Sequence, residues 1–209
     1  MKKYSTDQEE FWAGEFGNKY ISRNSEKIYL SKNISLFTEI ITRTSNITSI
    51  IEFGSNIGLN LKAIKTLLPN ADLTALEINK EAVKALKKNF DKITIFNKSI
   101  LEYKTDFAFD FVLIKGVLIH INPNKLNIIY QKLYDSSKRY ICLVEYYNPT
   151  PIKVSYRGFK NRLFKRDFAG ELMNRFSDLA LVDYGFVYHR DNNFPQDDLT
   201  WFLLEKKLK

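Results

Sequence analysis

The residues best suited to chemistry fall in one short stretch, Ile50-Ile51-Glu52-Phe53-Gly54-Ser55-Asn56-Ile57-Gly58-Leu59-Asn60. A β-rich apolar run ends at Phe53, two glycines follow four positions apart, and a helical apolar spacing begins at Leu59. Glycine reaches positive φ and lets a ligand approach the backbone. In open α/β sheets, ligands bind beyond the carboxyl ends of the strands. Glu77 closes the next strand, 19 positions after Gly58, where an acid can accept hydrogen bonds from ribose hydroxyls. The dinucleotide pattern G-x-G-x-x-G fails, because Asn56 and Leu59 occupy its second and third glycine positions. What fits is acidic-x-Gly-x-x-x-Gly, with Glu52 two positions before Gly54. A carboxylate at Glu52 repels a pyrophosphate and suits a cofactor bearing an ammonium and a sulfonium.

Further candidates follow later strands. His120 lies one turn past the run Phe109 to Ile114. Histidine titrates near neutral pH, so His120 is either a general base or a hydrogen-bonded histidine at a helix entrance. Glu145, Tyr146 and Tyr147 close the strand Tyr140 to Tyr146. Glu145 could act as a base or orient a hydroxyl. The tyrosines could stack on a ring or belong to the core, and adjacent strand residues point to opposite faces, so at most one of the two faces a site. From Pro151 to Ser177 there are seven Lys/Arg against two Asp/Glu. Arg157, Arg162, Lys165 and Arg166 are either a clamp for carboxylate or phosphate or a solvated basic face. His189, Asp197 and Asp198 either close over a site or form a turn between the last strands.

These residues need a scaffold. The chain has 209 residues, a net charge of +8 and 44% hydrophobic residues. This suits one domain with a core and an anionic partner. Cys142 is the single cysteine and His120 and His189 are the only histidines, so no intrachain disulfide and no zinc cluster is expected; no metal site is read. Residues 1–10 lack the apolar stretch of a signal peptide. The greasiest stretch, Phe107 to Ile121, is broken by Asp110, Lys115 and His120 and is too short to span a membrane. A soluble, cytoplasmic protein is the expectation.

The pattern alternates. Ser5 to Asn24 reads as a short helix and linker, and Ser25 to Thr42 as a second helix. Strands are predicted at 47–53, 72–78, 93–97, 109–114 and 140–146. Helices are predicted at 59–68, after the cap Asn79, and from Asn122-Pro123. This order implies a parallel sheet. Asn148 to Arg166 reads as a basic insertion, followed by a helix at 167–176 and strands at 179–188 and 200–205. The expected layout is one domain: an N-terminal helical lid (1–45), a cofactor-binding core (46–147), and a substrate-side insertion with the final strands (148–209).

Glu52, Gly54, Gly58 and Glu77, with Asn56 replacing a middle glycine, resemble the first two motifs of class I S-adenosylmethionine-dependent methyltransferases. Four further segments resemble one narrow family, the pseudaminic acid biosynthesis-associated methylases. They are Phe16-Gly17-Asn18-Lys19-Tyr20-Ile21, Lys115 through Pro123, Glu145-Tyr146-Tyr147-Asn148-Pro149-Thr150-Pro151, and Tyr184-Gly185-Phe186 with Phe194-Pro195-Gln196-Asp197-Asp198. The resemblance implies an α/β, Rossmann-like fold: a mostly parallel seven-stranded sheet with helices on both faces and an antiparallel last strand. It implies S-adenosyl-L-methionine held by Glu52, Gly54, Ser55, Asn56 and Gly58 around its methionine part. Glu77 would meet the ribose, Ile78 the adenine face, and Ser99 and Ile100 the adenine edge, where many relatives carry Asp at the position of Ser99. Lys115 and Gly116 would form the floor, although a lysine beside a sulfonium is electrostatically odd and points more naturally to an anionic substrate. Arg23 would pair with the methionine carboxylate. Glu145, His120 and Tyr146 are the catalytic candidates, and Tyr147, Arg157, Arg162 and Arg166 the acceptor-binding ones. The implied acceptor is an anionic sugar, a pseudaminic-type acid or its nucleotide-linked form. A methyltransferase of RNA or protein and a non-catalytic cofactor-binding partner are the alternatives. No module for nucleic acid is seen.

Overall fold

The computed structural model describes residues 4–21, 26–104 and 106–207. Seven strands form a sheet in the order β3-β2-β1-β4-β5-β9-β8, and a second sheet pairs β6 with β7. The chain divides into two compact units, residues 1–104 and 105–209.

In the first unit, α1 (Asp7–Ala13), α2 (Glu15–Ile21) and α3 (Glu26–Ile41) precede β1 (Ser49–Phe53), α4 (Leu59–Leu67), β2 (Asp72–Leu76), α5 (Lys80–Asn89) and β3 (Thr94–Phe96). The expected short helix and linker at the start is two helices, because the α1 C-cap falls at Gly14. β1 and β2 pair in parallel, as do β2 and β3. Ile50, Ile51, Glu52 and Phe53 are all buried, which is why β1 reads as an apolar run rather than an alternating one. Leu61, Ala63 and Ile64 bury one face of α4. Asn79 starts α5 by accepting from the backbone N–H groups of Glu81 and Ala82 at 2.9 and 3.0 Å.

In the second unit, β4 (Phe109–Lys115) leads to two 3₁₀ turns (Leu118–His120 and Pro123–Lys125), α6 (Leu126–Asp135) and β5 (Ser137–Glu145). Then come β6 (Ile152–Tyr156), β7 (Phe159–Lys165), α7 (Phe168–Arg175), β8 (Leu179–Val187) and β9 (Leu199–Lys206). β4 and β5 are parallel; β9 runs antiparallel to both β5 and β8. The strand-rich, mostly parallel sheet with an antiparallel final strand is as expected. The basic insertion is more ordered than its composition suggests. Arg157 and Gly158 both take positive φ (51° and 84°) between the paired residues Tyr156 and Phe159. Two left-handed residues between paired strands form the tight turn of a hairpin.

Candidate functional site

The loop after β1 is built on left-handed backbone. Gly54, Asn56 and Gly58 have φ of 79°, 47° and 85°. Asparagine tolerates this region better than other side chains, so Asn56 stands where a third glycine would otherwise be expected. The Gly54 and Ser55 amides donate to the Leu76 carbonyl at 2.8 and 3.2 Å, tying the loop to the end of β2. Gly58 serves packing. A Cβ there would lie 2.6 Å from both Leu86 and Phe90, so the start of α4 sits directly against α5.

Two carboxylates hold this loop. Glu77 Oε2 accepts the Asn56 N–H and Oε1 accepts the Asn79 N–H, both at 2.7 Å. Burial pushes the Glu77 pKa up against the pull of these donors. Glu52 was expected to offer its charge to a cofactor. It is fully buried, and its Oε1 accepts from Asn60 Nδ2 at 2.6 Å. It therefore holds the first turn of α4 through Asn60. Ser55 Oγ donates to the Glu52 carbonyl at 2.9 Å.

The first two helices dock on the loops after β2 and β3. Asn79 Nδ2 donates to the Trp12 carbonyl (3.1 Å) and to Asn18 Oδ1 (2.8 Å). Ser99 Oγ donates to Glu9. Glu9 in turn closes a capping box with Thr6, and its pKa is lowered: hydrogen bonds from Ser5, Ser99 and Thr6 outweigh the opposing effect of burial. A carboxylate thus stands beside Ser99, supplied by α1 rather than by position 99. Sequence reading missed Glu9; its one local signal was the Thr6-x-x-Glu9 capping pattern. Ile78 and Ile100 are half-buried. Arg23 lies outside the described residues.

In the second unit, Gly116 follows β4 with φ 65° and open space where a Cβ would point. Its N–H donates to the Val144 carbonyl at 2.9 Å. The 3₁₀ turn that follows is held from both ends. Glu145 Oε1 accepts the Val117 and Leu118 N–H groups, both at 2.9 Å, and Oε2 meets the Ile119 N–H at 3.5 Å. Burial outweighs these donors and the nearby Lys115, and the Glu145 pKa is pushed up to about 8. At the other end, His120 Nδ1 lies 2.5 Å from the Arg162 carbonyl on β7. A carbonyl only accepts, so Nδ1 carries the proton and Nε2 is the acceptor nitrogen. Burial lowers the His120 pKa to about 4, leaving a neutral imidazole at pH 7. Tyr156 of β6 packs on it, ring centroids 4.8 Å apart.

The acceptor-side candidates separate. Lys165 Nζ lies 4.8 Å from the Tyr146 ring centroid, whereas Tyr147 faces Phe202 at 5.9 Å. Arg157 sits in the hairpin turn beside Tyr156, and Arg162 contributes its carbonyl to His120. Arg166 was expected to meet the acceptor. Its Nε lies 2.6 Å from Glu171 Oε1, and Glu171 Oε2 accepts from Tyr130 at 2.6 Å. This ties the end of β7 to α6 and α7. His189 Nδ1 lies 2.7 Å from Asp198 Oδ1 on the surface, between β8 and β9. Among the described residues, no three His, Cys, Asp or Glu cluster as metal ligands, and no helix is long and apolar enough to cross a membrane.

No family model and no curated protein matches the chain. Solved structures do. The plantazolicin methyltransferase BpumL, in complex with a pentazolic desmethylPZN analog and S-adenosylhomocysteine, superposes with a TM-score of 0.67. That match has 16% identity and covers 96% of this chain and 95% of that one. The 1,6-didemethyltoxoflavin-N1-methyltransferase of Burkholderia thailandensis, with bound 1,6-didemethyltoxoflavin and S-adenosylhomocysteine, gives 0.68 at 10% identity over 96% and 87%. An S-adenosylmethionine-dependent methyltransferase from Clostridium acetobutylicum gives 0.65 at 9% over 92% and 98%. At such identities the likeness is one of fold: this chain has the Rossmann-like fold of S-adenosylmethionine-dependent methyltransferases.

Proposed function

We propose that the chain is an S-adenosylmethionine-dependent methyltransferase whose acceptor is an anionic small molecule, a pseudaminic-type sugar acid or its nucleotide-linked form. The observation that carries the reading is the loop of Gly54, Asn56 and Gly58 held by Glu77. It presents backbone and a carboxylate at the carboxyl ends of β1 and β2, where such folds bind ligands. The residues fit the cofactor. Glu77 accepts backbone N–H groups of Asn56, Asn79 and Ile78, so of about four carboxylate acceptor positions roughly one is left for a ribose hydroxyl. Ile78 and Ile100 offer half-buried apolar surface for a flat ring. When bound, S-adenosylmethionine supplies a methyl group on a sulfonium, open to displacement.

The chain's own residues then bind, align and deprotonate. Alignment alone supplies much of the rate of such a displacement. His120, neutral with Nε2 as acceptor, takes the proton of an acceptor hydroxyl. Glu145 is protonated at neutral pH and shapes the turn that carries His120. Arg157 and the hairpin lysines attract the acid group. The similarity of the Lys115–Pro123 and Glu145–Pro151 segments to the pseudaminic acid-associated methylases supports a sugar acid.

Calorimetry tests the first step: S-adenosylmethionine binds the wild type, and Glu77→Ala weakens it at least tenfold. Labelled-methyl transfer is then screened over free sugar acids, nucleotide-linked sugars, RNA and total protein. No binding to the wild type overturns the cofactor reading, label in RNA alone overturns the acceptor, and binding without any transfer favours a non-catalytic partner.

A further inference from the structure

A cavity of about 400 Å³ lies in the second unit between α7, β8 and β9. Of its lining, the methyl-transfer reading names Tyr147 alone, as an acceptor-binding candidate. It is lined by Tyr147, Tyr184, Phe186 and Phe202, by Ala169 and Met173 of α7, and by Asp167, whose carboxylate accepts the Gly170 N–H. Two of its rings are left open to solvent: Tyr184 is 63% exposed and Phe186 59%. Grouped exposed aromatics around a hollow mark a binding surface rather than a core. The volume falls within the range of small-molecule sites, roughly 300–1,000 Å³.

Position and charge narrow the occupant. Tyr147 and Thr200 place the hollow beside the end of β5, since Glu145 pairs with Thr200. The β6–β7 hairpin leaves the chain just after Tyr147 and returns just before Asp167, so both its stems meet residues of the lining. From 151 to 165 it carries five Lys/Arg and no Asp/Glu, with Arg166 beyond it paired to Glu171. Flat aromatic walls beside a cationic hairpin match a ligand with a planar ring at one end and an anion at the other.

We propose that this cavity is a nucleobase subsite and that the acceptor is nucleotide-linked, its base stacking among Tyr147, Tyr184 and Phe186 and its phosphate meeting the hairpin. The proposal rests on the methyltransferase reading for the acceptor's role, but the subsite is testable without it. AMP, GMP, CMP and UMP are titrated into the full chain by calorimetry in the presence of saturating S-adenosylhomocysteine, with ribose 5-phosphate as the base-free control. Tyr184→Ser and Phe186→Ser are exposed substitutions that leave the core intact. At least one nucleotide should bind ten times more tightly than ribose 5-phosphate, and each substitution should remove about tenfold of that affinity, as loss of one base–aromatic stack does. Binding of S-adenosylmethionine should stay unchanged in both variants. Equal affinity for nucleotides and ribose 5-phosphate overturns the subsite, as does wild-type nucleotide affinity in both variants. Substitutions that abolish self-association of the chain while sparing nucleotide binding also overturn it, and make the patch an interface between copies. If S-adenosylmethionine binds no variant while nucleotides bind as stated, the methyltransferase reading fails and the subsite stands.

Discussion

Glu145 and His120 are buried at opposite ends of one turn, and burial moves their pKa values in opposite directions, so they load pH onto folding with opposite signs. Glu145 ionises near 4.5 when exposed and near 8 in the folded chain. Its contribution is fully present below pH 4.5 and is lost as pH rises towards 8, because the unfolded chain releases the proton first. His120 ionises near 6.5 when exposed and near 4 when folded. Its contribution is present above pH 6.5 and is lost as pH falls towards 4. Each slope is about 1.4 kcal/mol per pH unit. From about pH 4.5 to 6.5 the two effects cancel. Between pH 6.5 and 8 only Glu145 changes, and it costs about 2 kcal/mol. Urea unfolding across this range, in the wild type, Glu145→Gln and His120→Asn, separates them. The asparagine amide can still donate to the Arg162 carbonyl, so that variant removes the titration and keeps the contact. The advantage of the wild type over Glu145→Gln should shrink from pH 4.5 to 8, and its advantage over His120→Asn should grow from pH 4 to 6.5. A flat difference for Glu145→Gln means that the Val117 and Leu118 donors keep the carboxylate ionised throughout. The assignment of the proton acceptor to His120 alone then falls.

Two further perturbations test the first unit. Gly58→Ala forces a Cβ into left-handed backbone and to within 2.6 Å of the buried Leu86 and of Phe90; it should cost about 2–4 kcal/mol in urea unfolding, and a loss under 1 kcal/mol contradicts the close packing of α4 on α5. Asn79→Asp keeps the acceptor that caps α5 but removes the donors to Trp12 and Asn18. Amide exchange over residues 7–21 should then quicken about thirtyfold, from the loss of two hydrogen bonds of about 1 kcal/mol each, and unchanged exchange shows that the Asn79 donors do not hold the helices.

What the sequence reveals follows from the range of each interaction. Gly54 and Gly58 mark the loop because positive φ is a property of single residues, and the strand–turn–helix order around them is local. Ser99 and Asn79 do not reveal their partners, since Glu9 lies 90 positions from Ser99 and Asn18 lies 61 from Asn79. Arg166 shows a different limit. Its partner Glu171 is five positions on, yet a count of cations cannot separate a paired guanidinium from one open to a ligand. The first hairpin strand is legible in the alternation of Ile152, Val154 and Tyr156 before Arg157-Gly158, but the same segment's cations read equally well as a solvated basic face.

The carboxylates at the strand ends share a design that the composition hides. Glu52 ends buried against Asn60, Glu77 receives the Asn56 and Asn79 amides, and Glu145 receives those of Val117 and Leu118. Glu77 and Glu145 give acceptor capacity to backbone donors of the loop that follows a strand, and Glu52 gives it to the Asn60 side chain of α4. Loss of activity in an alanine variant therefore cannot distinguish a residue that touches ligand from one that only folds its loop, because backbone donors are left unmet in both cases. Glutamine keeps an acceptor oxygen and removes the charge. In Glu77→Gln one of the two oxygens that accept the Asn56 and Asn79 amides becomes a donor, so amide exchange at Asn56 and Asn79 is read beside binding: weak S-adenosylmethionine binding with unchanged exchange there means that Glu77 acts on the ligand itself, whereas quickened exchange with binding retained means that its work is to hold the loop, and the ribose contact belongs to other groups.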